Sequence, residues 1–205
     1  MKENNNIYPV FHRILKREDK ERLLKQRAKV IWMTGLSGAG KTTLAKALDE
    51  ALYNRGILSQ ILDGDNIRSG INNNLNFTET DRTENIRRIA EVSKLFLNCG
   101  IISINSFISP TEDIRHMAMD IIGRENMIEV FVNAPLNVCE SRDVKGLYAR
   151  ARKGEIKNFT GIDSPFEKPM DADVEIRTDL MTVEESTEKL MDFILPRIEY
   201  HEKKQ

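Results

Sequence analysis

A glycine-rich stretch at residues 35–42 carries the clearest chemistry in the chain. It reads Gly-Leu-Ser-Gly-Ala-Gly-Lys-Thr, the pattern of a phosphate-binding P-loop, between an apolar run and a run of good helix formers. Its glycines let backbone N–H groups surround an anion, and the N-terminus of the following helix adds roughly half a positive charge. We expect Lys41 to reach the β- and γ-phosphates of a nucleoside triphosphate and the Thr42 hydroxyl to hold Mg²⁺. The predicted nucleotide site comprises Gly35, Leu36, Ser37, Gly38, Ala39, Gly40, Lys41, Thr42 and Thr43.

Two carboxylates, Asp63 and Asp65, follow the next apolar run directly. In a parallel α/β sheet the carboxyl ends of the strands line the ligand crevice, so both are expected to face the bound phosphates. One carboxylate can then organise the Mg²⁺ shell while the other accepts a proton from an acceptor hydroxyl. A plain Asp-Gly turn is the alternative. The nearby P-loop favours the catalytic interpretation.

Arg82 and Asn85 fall in the first turn of a long predicted helix, on the side that becomes its buried stripe. An arginine on a buried stripe is expected to meet an anion or an acidic partner. Arg82, and Arg68 just after the two carboxylates, are therefore candidates to hold a second anionic ligand. A surface salt bridge stays open for each.

Three phenylalanines are candidates to stack on a base. Phe77 and Phe159 lie in polar segments, where an aromatic side chain has little core to join. Phe107 adjoins an apolar run and is expected in the core.

Strands and helices alternate along the chain and must position these residues. Apolar runs predict strands at 30–33, 57–62, 101–107, 128–132 and 174–177. Helical spacing and capping patterns predict helices near 17–24, 43–52, 79–98, 112–122, 136–142 and 182–195. This alternation predicts an α/β P-loop NTPase fold with a doubly wound, parallel five-stranded sheet. We expect a polar extension with a short helix at 1–28 and a P-loop domain at 29–205.

Residues 143–165 interrupt the alternation with a charged connection longer than a typical loop. A solvated loop or linker is one interpretation. A basic, partly helical lid over the nucleotide site is the sharper one, because the segment follows the fourth strand.

Length and charge exclude several other classes of protein. The chain has 205 residues and a net charge of −1, which fits one domain without a general attraction to nucleic acid or membranes. No apolar run approaches the roughly 20 residues of a membrane span, and no signal-peptide core begins the sequence. The two cysteines, Cys99 and Cys139, are expected to be reduced and buried. We expect a cytoplasmic protein.

Six motifs together resemble the adenylylsulfate (APS) kinase family, and they lie at 35–42, 62–68, 81–88, 106–110, 142–148 and 156–165. The last, Ile-Lys-Asn-Phe-Thr-Gly-Ile-Asp-Ser-Pro, is the most diagnostic, and the resemblance covers nearly the whole chain from about residue 17. It implies transfer of the γ-phosphoryl group of ATP, with Mg²⁺, to the 3′-hydroxyl of adenosine 5′-phosphosulfate. The product is 3′-phosphoadenylyl sulfate, which serves sulfate assimilation. The resemblance also implies a homodimer.

The resemblance further implies a site in which Phe77 and Phe159 enclose the adenine of APS, while Arg68, Arg82 and Asn85 hold the phosphosulfate. The full substrate set is Asp65, Arg68, Phe77, Arg82, Asn85, Ile108, Ser109, Lys157 and Phe159. Arg142 resembles an arginine that packs near the ATP base.

For the mechanism we expect direct in-line transfer, with Asp65 nearest the 3′-hydroxyl and Asp63 supporting the Mg²⁺ shell. Ser109 matches a serine assigned in bacterial relatives as a phosphoserine intermediate. The sequence offers no obvious activating base for it, which favours a substrate contact, and the covalent role stays open.

Two alternatives accompany this interpretation. A kinase of another nucleotide anhydride stays open, because the clamp residues recognise an anion and a base rather than a sulfate. A GTP-dependent switch is disfavoured, since the sequence has no Asn-Lys-x-Asp motif. Residues 111–115 lack the aromatic-plus-arginine start usual in the family, and Val144 stands where proline is common. The first departure leaves packing and charge beside the acceptor site open.

Overall fold

Five parallel strands form the centre of the molecule in the computed structural model, which describes residues 8–201. They are β1 Val30–Thr34, β2 Ser59–Asp63, β3 Ile102–Ser106, β4 Met127–Asn133 and β5 Val174–Arg177. Their order across the sheet is β2-β3-β1-β4-β5, and every neighbouring pair is parallel. The predicted doubly wound parallel sheet of five strands is confirmed.

Helices connect the strands and cover both faces of the sheet. They are α1 Arg17–Leu24, α2 Lys41–Tyr53, α3 Gly64–Arg68, α4 Glu79–Asn98, α5 Glu112–Ile122, α6 Leu136–Arg142, α7 Leu147–Arg152 and α8 Val183–Ile198, with 3₁₀ turns at Phe11–Arg13 and Arg124–Asn126. The predicted caps are present: Thr78 Oγ1 accepts a hydrogen bond from the Asp81 N–H, and Thr182 and Glu185 form a reciprocal capping box. Helix α8 continues past its predicted end, through Pro196, to Ile198.

Alternate residues of β1 divide between two hydrophobic cores. Ile31 and Met33 pack in the core that includes residues of α2 and α8, and Val30 and Trp32 in the core that includes residues of α4 and α5. Both faces of a strand in such a sheet are therefore apolar. This is why the strand sequences are continuous apolar runs and do not alternate between apolar and polar residues. With both faces covered, the carboxyl edge of the sheet is where a ligand is expected to bind.

Some sequence predictions need correction. Cys139 is buried as expected, but Cys99, the C-cap residue of α4, is exposed, although its neighbour Gly100 is buried against α1. Strand β2 begins at Ser59 rather than at residue 57, since the Ile57 N–H bonds back to the Leu52 carbonyl and closes the turn after α2.

The N-terminal region contacts the rest of the chain closely. Arg17 of α1 donates hydrogen bonds to the Ala28 carbonyl at 2.5 Å and to Asn126 Oδ1 at 2.6 Å. Residues 1–7 of the predicted extension lie outside the described residues, and the division at residue 28 stays a prediction. Among residues 8–201, no helix combines the length and apolar character needed to cross a membrane.

Candidate active site

Strands β1, β2 and β3 deliver the predicted catalytic residues to one edge of the sheet. β1 ends at Thr34, directly before the P-loop, β2 ends at Asp63, and β3 ends at Ser106. Their parallel pairing places Met33 and Asp63 on either side of Ser106 in register. These strand ends therefore meet at one edge of the sheet, where the crevice is predicted.

The P-loop turns its carbonyl oxygens outward, and each of the five at residues 35–39 accepts a hydrogen bond from a side chain. Lys41 Nζ donates to the Gly35 and Leu36 carbonyls at 2.9 and 2.8 Å. The remaining three are the acceptors for other parts of the chain: Ser37 for Tyr148, Gly38 for Arg142, and Ala39 for Thr178. The Gly35 and Ala39 N–H groups donate to the Ile108 and Leu36 carbonyls, while among the described residues no protein acceptor takes the N–H groups of residues 36–38. These free N–H groups make an anion-binding nest at the start of α2. Glycine is required at residue 35, because a Cβ there would lie 2.3 Å from the Val132 carbonyl oxygen.

Lys41 is buried beneath this loop at the first position of α2, with 8% of its surface exposed. Burial lowers the pKa of its ammonium group from 10.5 to about 8. A cation held with little water around it gains a strong interaction from any phosphate that enters the nest.

Thr42 and Asp63 meet at the base of the nest, where the Thr42 hydroxyl donates to Asp63 Oδ2 at 2.8 Å. Ser106 Oγ lies 3.4 Å from the same hydroxyl. A carboxylate and two hydroxyls are hard oxygen donors, the kind that Mg²⁺ prefers beside phosphate. The residues present therefore fit the predicted Mg²⁺ site. Thr43 is exposed on the next position of α2.

Asp65 is the second residue of the short helix α3. Its backbone N–H bonds to Asp63 Oδ1 at 3.1 Å, so the first carboxylate caps the short helix that carries the second. The Asp65 side chain is exposed and forms an ion pair with Lys145. Lys145 lies in the basic connection, where no sequence pattern distinguishes it from the other basic residues.

Arg68 and Arg82 lie close together and both hold the loop between α3 and α4. Arg68 donates to the Leu75 and Asn76 carbonyls, and Arg82 to the Phe77 carbonyl. Burial lowers the pKa of both guanidinium groups, and for Arg68 the neighbouring Arg82 charge lowers it further. Two partly desolvated cations that repel each other are an electrostatic environment suited to an anion.

Phe77 is presented to solvent at this point, with 62% of its surface exposed. Its ring lies under the Arg68 guanidinium, 4.5 Å from centroid to Cζ. An exposed aromatic ring held on one face by a cation leaves its other face available for a planar ligand.

The connection after α6 folds back over the P-loop, as a lid would. Its helix α7 confirms the partly helical character. The Tyr148 hydroxyl bonds to the Ser37 carbonyl at 2.9 Å, and the Tyr148 ring packs edge-on against Phe159 at 4.9 Å between centroids. Arg82 reaches across to the Thr160 hydroxyl at 2.5 Å and to the Asn158 carbonyl. The predicted stacking residue Phe159 is thus half-buried against the P-loop side, and Lys157 is exposed beside it.

Ser109 is buried, with 1% exposed, and has the left-handed backbone conformation at φ 46°. Its Oγ accepts a hydrogen bond from the indole N–H of Trp32 at 3.0 Å. The carbonyls of Ile108 and Ser109 accept from the Thr34 hydroxyl at 2.6 and 3.3 Å. The loop that carries both predicted substrate contacts is therefore fixed from beneath by β1.

The unusual segment at 111–115 supports the same loop. Thr111 caps α5 by accepting from the Ile114 N–H. Arg115 is buried beside Glu129 at 3.1 Å and donates to the Ser109 carbonyl at 3.1 Å. A threonine in place of an aromatic residue thus provides a helix cap, and Arg115 at the end of the segment contacts the loop of Ser109.

Asn85 is buried one turn after Arg82 on the same face of α4. Its Oδ1 accepts from the Nδ2 of Asn72, a fully buried residue that the sequence analysis did not single out.

Arg142 lies at the end of α6, where it donates to the Gly38 carbonyl at 3.2 Å and to the Thr178 carbonyl at 2.7 Å. This contact places it against the P-loop, beside the nucleotide site predicted for it. Thr178, directly after β5, was missed, although the rule that strand ends line the crevice points to it.

A cavity of about 770 Å³ opens beside the lid segment, between residues 161–166 and the end of β4. Leu36 and Ile162 line it, and among the described residues it touches none of the predicted catalytic side chains.

Comparisons with a family model, with known sequences and with solved structures all lead to the same family. Residues 27–177 match the family model of adenylylsulphate kinase. An adenylyl-sulfate kinase of Bacteroides fragilis is 61% identical over 202 residues, which cover 98% of this chain and all of the relative. An adenylyl-sulfate kinase of Clostridium kluyveri is 51% identical, covering 92% of this chain and 95% of the relative.

Among solved structures, the APS kinase of Mycobacterium tuberculosis in complex with AMPPNP and APS superposes with a TM-score of 0.80 at 41% identity. The match covers 82% of this chain and 98% of that one.

Proposed function

The chain belongs to the adenylylsulphate kinase family and is an ATP-dependent adenylyl-sulfate kinase, and we propose that it transfers the γ-phosphoryl group directly to the 3′-hydroxyl of APS. In this proposal Asp65 accepts the hydroxyl proton and no phosphoenzyme forms. The observation that carries it is the pairing of Asp63 with Thr42 at the P-loop while Asp65, two residues on, remains exposed in the crevice.

Transfer of a phosphoryl group depends mainly on positioning and charge stabilisation. The nest at residues 35–42 and Lys41 would bind the ATP phosphates. Thr42 and Asp63 would hold Mg²⁺, which supplies charge neutralisation at the phosphates when bound. Arg142 would contact the nucleotide from the opposite side of the loop.

Asp65 is the proposed general base because it is the exposed member of the carboxylate pair. Its partner Lys145 is a mobile cation on a flexible stem. We propose that the Lys145 ammonium leaves Asp65 for the anionic part of APS as the substrate binds. That exchange would free the carboxylate to approach the 3′-hydroxyl.

The acceptor half of the site would consist of Arg68, Arg82 and Asn85 on the phosphosulfate and Phe77 and Phe159 beside the adenine. Ile108 and Ser109 would line it through the loop fixed by Thr34, and Lys157 would join when the lid closes. Burial of the Ser109 hydroxyl under the Trp32 indole argues against nucleophilic attack by Ser109.

ADP release from Mg-ATP with APS tests the function, with AMP and CDP as controls and mass identification of the product. APS-dependent ADP release with a 3′-phosphorylated product is expected. ADP release that does not depend on APS would contradict it and would favour another nucleotide acceptor.

Rapid-quench labelling from γ-labelled ATP tests the direct mechanism. We expect label to pass from ATP to product without accumulating on protein. Label on Ser109 that forms and decays at the turnover rate would replace the direct mechanism with a covalent one.

A homodimer and a cytoplasmic location stay predictions, to be tested by light scattering and by cell fractionation.

A further inference from the structure

Asn72 lies in the turn after α3 with none of its surface exposed, and its side chain spans two residues of α4. Its Nδ2 donates to Asn85 Oδ1 at 2.9 Å, and its Oδ1 accepts from the Arg88 guanidinium at 3.3 Å. A fully buried amide is retained only when its polar atoms are satisfied, and here both ends are.

The direction of this chain of hydrogen bonds is fixed by Arg88. The oxygen and nitrogen of an asparagine amide have nearly the same shape, so their positions follow from the partners. A guanidinium group only donates, so the end of Asn72 that faces Arg88 must be its oxygen. The Asn72 nitrogen then faces Asn85, and the facing atom of Asn85 must be its oxygen.

Arg88 is itself held in place. It pairs with Glu84 at 2.8 Å and donates to Asn74 Oδ1 at 2.9 Å. Hydrogen bonds from Arg87 and Arg88 hold the pKa of Glu84 at about 2, so the carboxylate stays ionised at neutral pH. The series of hydrogen bonds from Arg88 through Asn72 to Asn85 therefore starts from the fixed Arg88–Glu84 ion pair.

At the other end, the Asn85 amide nitrogen is left pointing away from Asn72. Within residues 8–201 this nitrogen has no protein acceptor, and the atom is not fully buried. Arg82, one turn earlier on α4, marks this side of the helix as the acceptor site. A bound anion would meet an N–H₂ group there and not a carbonyl oxygen.

We infer that Asn72 is a positioning residue that fixes the Asn85 amide as a hydrogen-bond donor toward the anionic group of the acceptor substrate. This inference rests on the proposed function, in which Asn85 contacts the phosphosulfate. It makes the polarity of the acceptor site depend on a residue that touches no substrate.

The test is the substitution Asn72→Asp. The introduced carboxylate still accepts from Arg88 but has no N–H for Asn85, so the Asn85 amide must turn and present its oxygen to the anion. We expect the APS dissociation constant, measured by calorimetry, to rise by at least about 10-fold, while ADP affinity changes by less than about 2-fold.

Asn74→Asp is the matched control. It adds the same charge beside the same guanidinium, at an exposed residue that does not contact Asn85. We expect it to change APS affinity by less than about 2-fold.

A double-mutant cycle separates orientation from charge. In an Asn85→Ala background there is no amide to turn, so adding Asn72→Asp is expected to cost less than about 2-fold in APS affinity. An equal loss in both backgrounds would overturn the inference, because the effect would then be through-space repulsion.

Arg88→Met is the second variant if the buried carboxylate prevents folding. Its side chain is 27% exposed, and its removal frees Asn72 to turn without adding charge. We expect a rise of about 3-fold in the APS dissociation constant with ADP affinity retained, and unchanged APS affinity would overturn the inference.

If Asn85→Ala binds APS normally in an enzyme that still shows APS-dependent ADP release, the inference fails while the proposed function stands. Failure of APS-dependent release in the unaltered protein removes both.

Discussion

The two halves of the crevice are built in different ways. The nucleotide half comes from one continuous stretch, residues 35–42, in which the five carbonyls of residues 35–39 each accept a hydrogen bond from a side chain. The acceptor half combines α3, α4, the loop after β3 and the lid, and its charged groups have partners within the protein. Asp65 pairs with Lys145, and Arg82 donates hydrogen bonds to the Asn158 carbonyl and the Thr160 hydroxyl.

The difference indicates how each half responds to its ligand. The nest is complete before ATP arrives, so binding there needs little rearrangement. The acceptor half must exchange an internal ion pair and the internal hydrogen bonds of Arg82 for contacts with APS. We therefore expect the nucleotide half to set phosphate affinity and the acceptor half to set selectivity and lid motion.

The largest expected effect is on the phosphoryl-transfer step, and it separates that step from the binding of ATP and of APS. Asp65→Asn removes the proposed base and should lower kcat by roughly 10²–10⁴-fold, with the KM values for ATP and APS changed far less. Steady-state kinetics measure this, with Asp120→Asn on the exposed side of α5 as the control. A near-normal kcat would remove Asp65 from the role.

Phe77→Ala tests the acceptor half. Loss of stacking on the adenine should weaken APS binding by roughly 5–150-fold, the range for one base on an aromatic ring, and leave ADP binding unchanged. Phe77→Tyr retains the ring and serves as the matched control. Equal APS affinity in the alanine and tyrosine variants would exclude stacking on this residue.

The pH dependence of nucleotide affinity tests the other half. The pKa of Lys41 is about 8 in the free protein, and a bound phosphate should raise it by favouring the charged form. Affinity for AMPPNP should therefore be full below pH 8 and fall as the pH rises, by about 10-fold between pH 7 and pH 9. Calorimetry at several pH values checks this. Lys41→Met should bind weakly and lose the dependence, and the same slope in that variant would assign it to another group.

Tyr148→Phe tests whether the two halves communicate. It removes the hydrogen bond to the Ser37 carbonyl and leaves the ring on Phe159. We expect a rise of roughly 2–10-fold in the KM for ATP, the size of one hydrogen bond, and a smaller protection of residues 143–165 from hydrogen exchange when both ligands are bound. Tyr53→Phe, at an exposed tyrosine of α2, is the control. Unchanged KM and exchange would show that the halves act independently.

The sequence predicts the nucleotide half better than the acceptor half, because the nucleotide half is one continuous stretch and the acceptor half combines several elements. Residues 35–42 act through their own backbone, so spacing alone identifies them. The strands and most helix bounds are also predictable, because apolar runs and caps are local signals.

Lys145, Asn72 and Thr178 were missed because their roles depend on contacts across 80, 13 and 139 residues of chain. Nothing local distinguishes Lys145 from the other lysines of a basic segment, or Asn72 from the three asparagines that follow within a few residues. The exposure of Cys99 is unpredictable for a related reason, since apolar neighbours in sequence do not show on which side of a helix end a side chain lies.

Trp32 is the sole tryptophan of the chain, fully buried in β1, with its indole stacked near Phe107 and its N–H on the Ser109 hydroxyl. The protein therefore carries its single tryptophan fluorophore directly under the acceptor loop. Its emission wavelength and lifetime depend on the polarity around the indole and on that one hydrogen bond. Substrate arrival at the loop can thus be followed optically in the unlabelled enzyme, on the timescale of mixing, without a reporter dye.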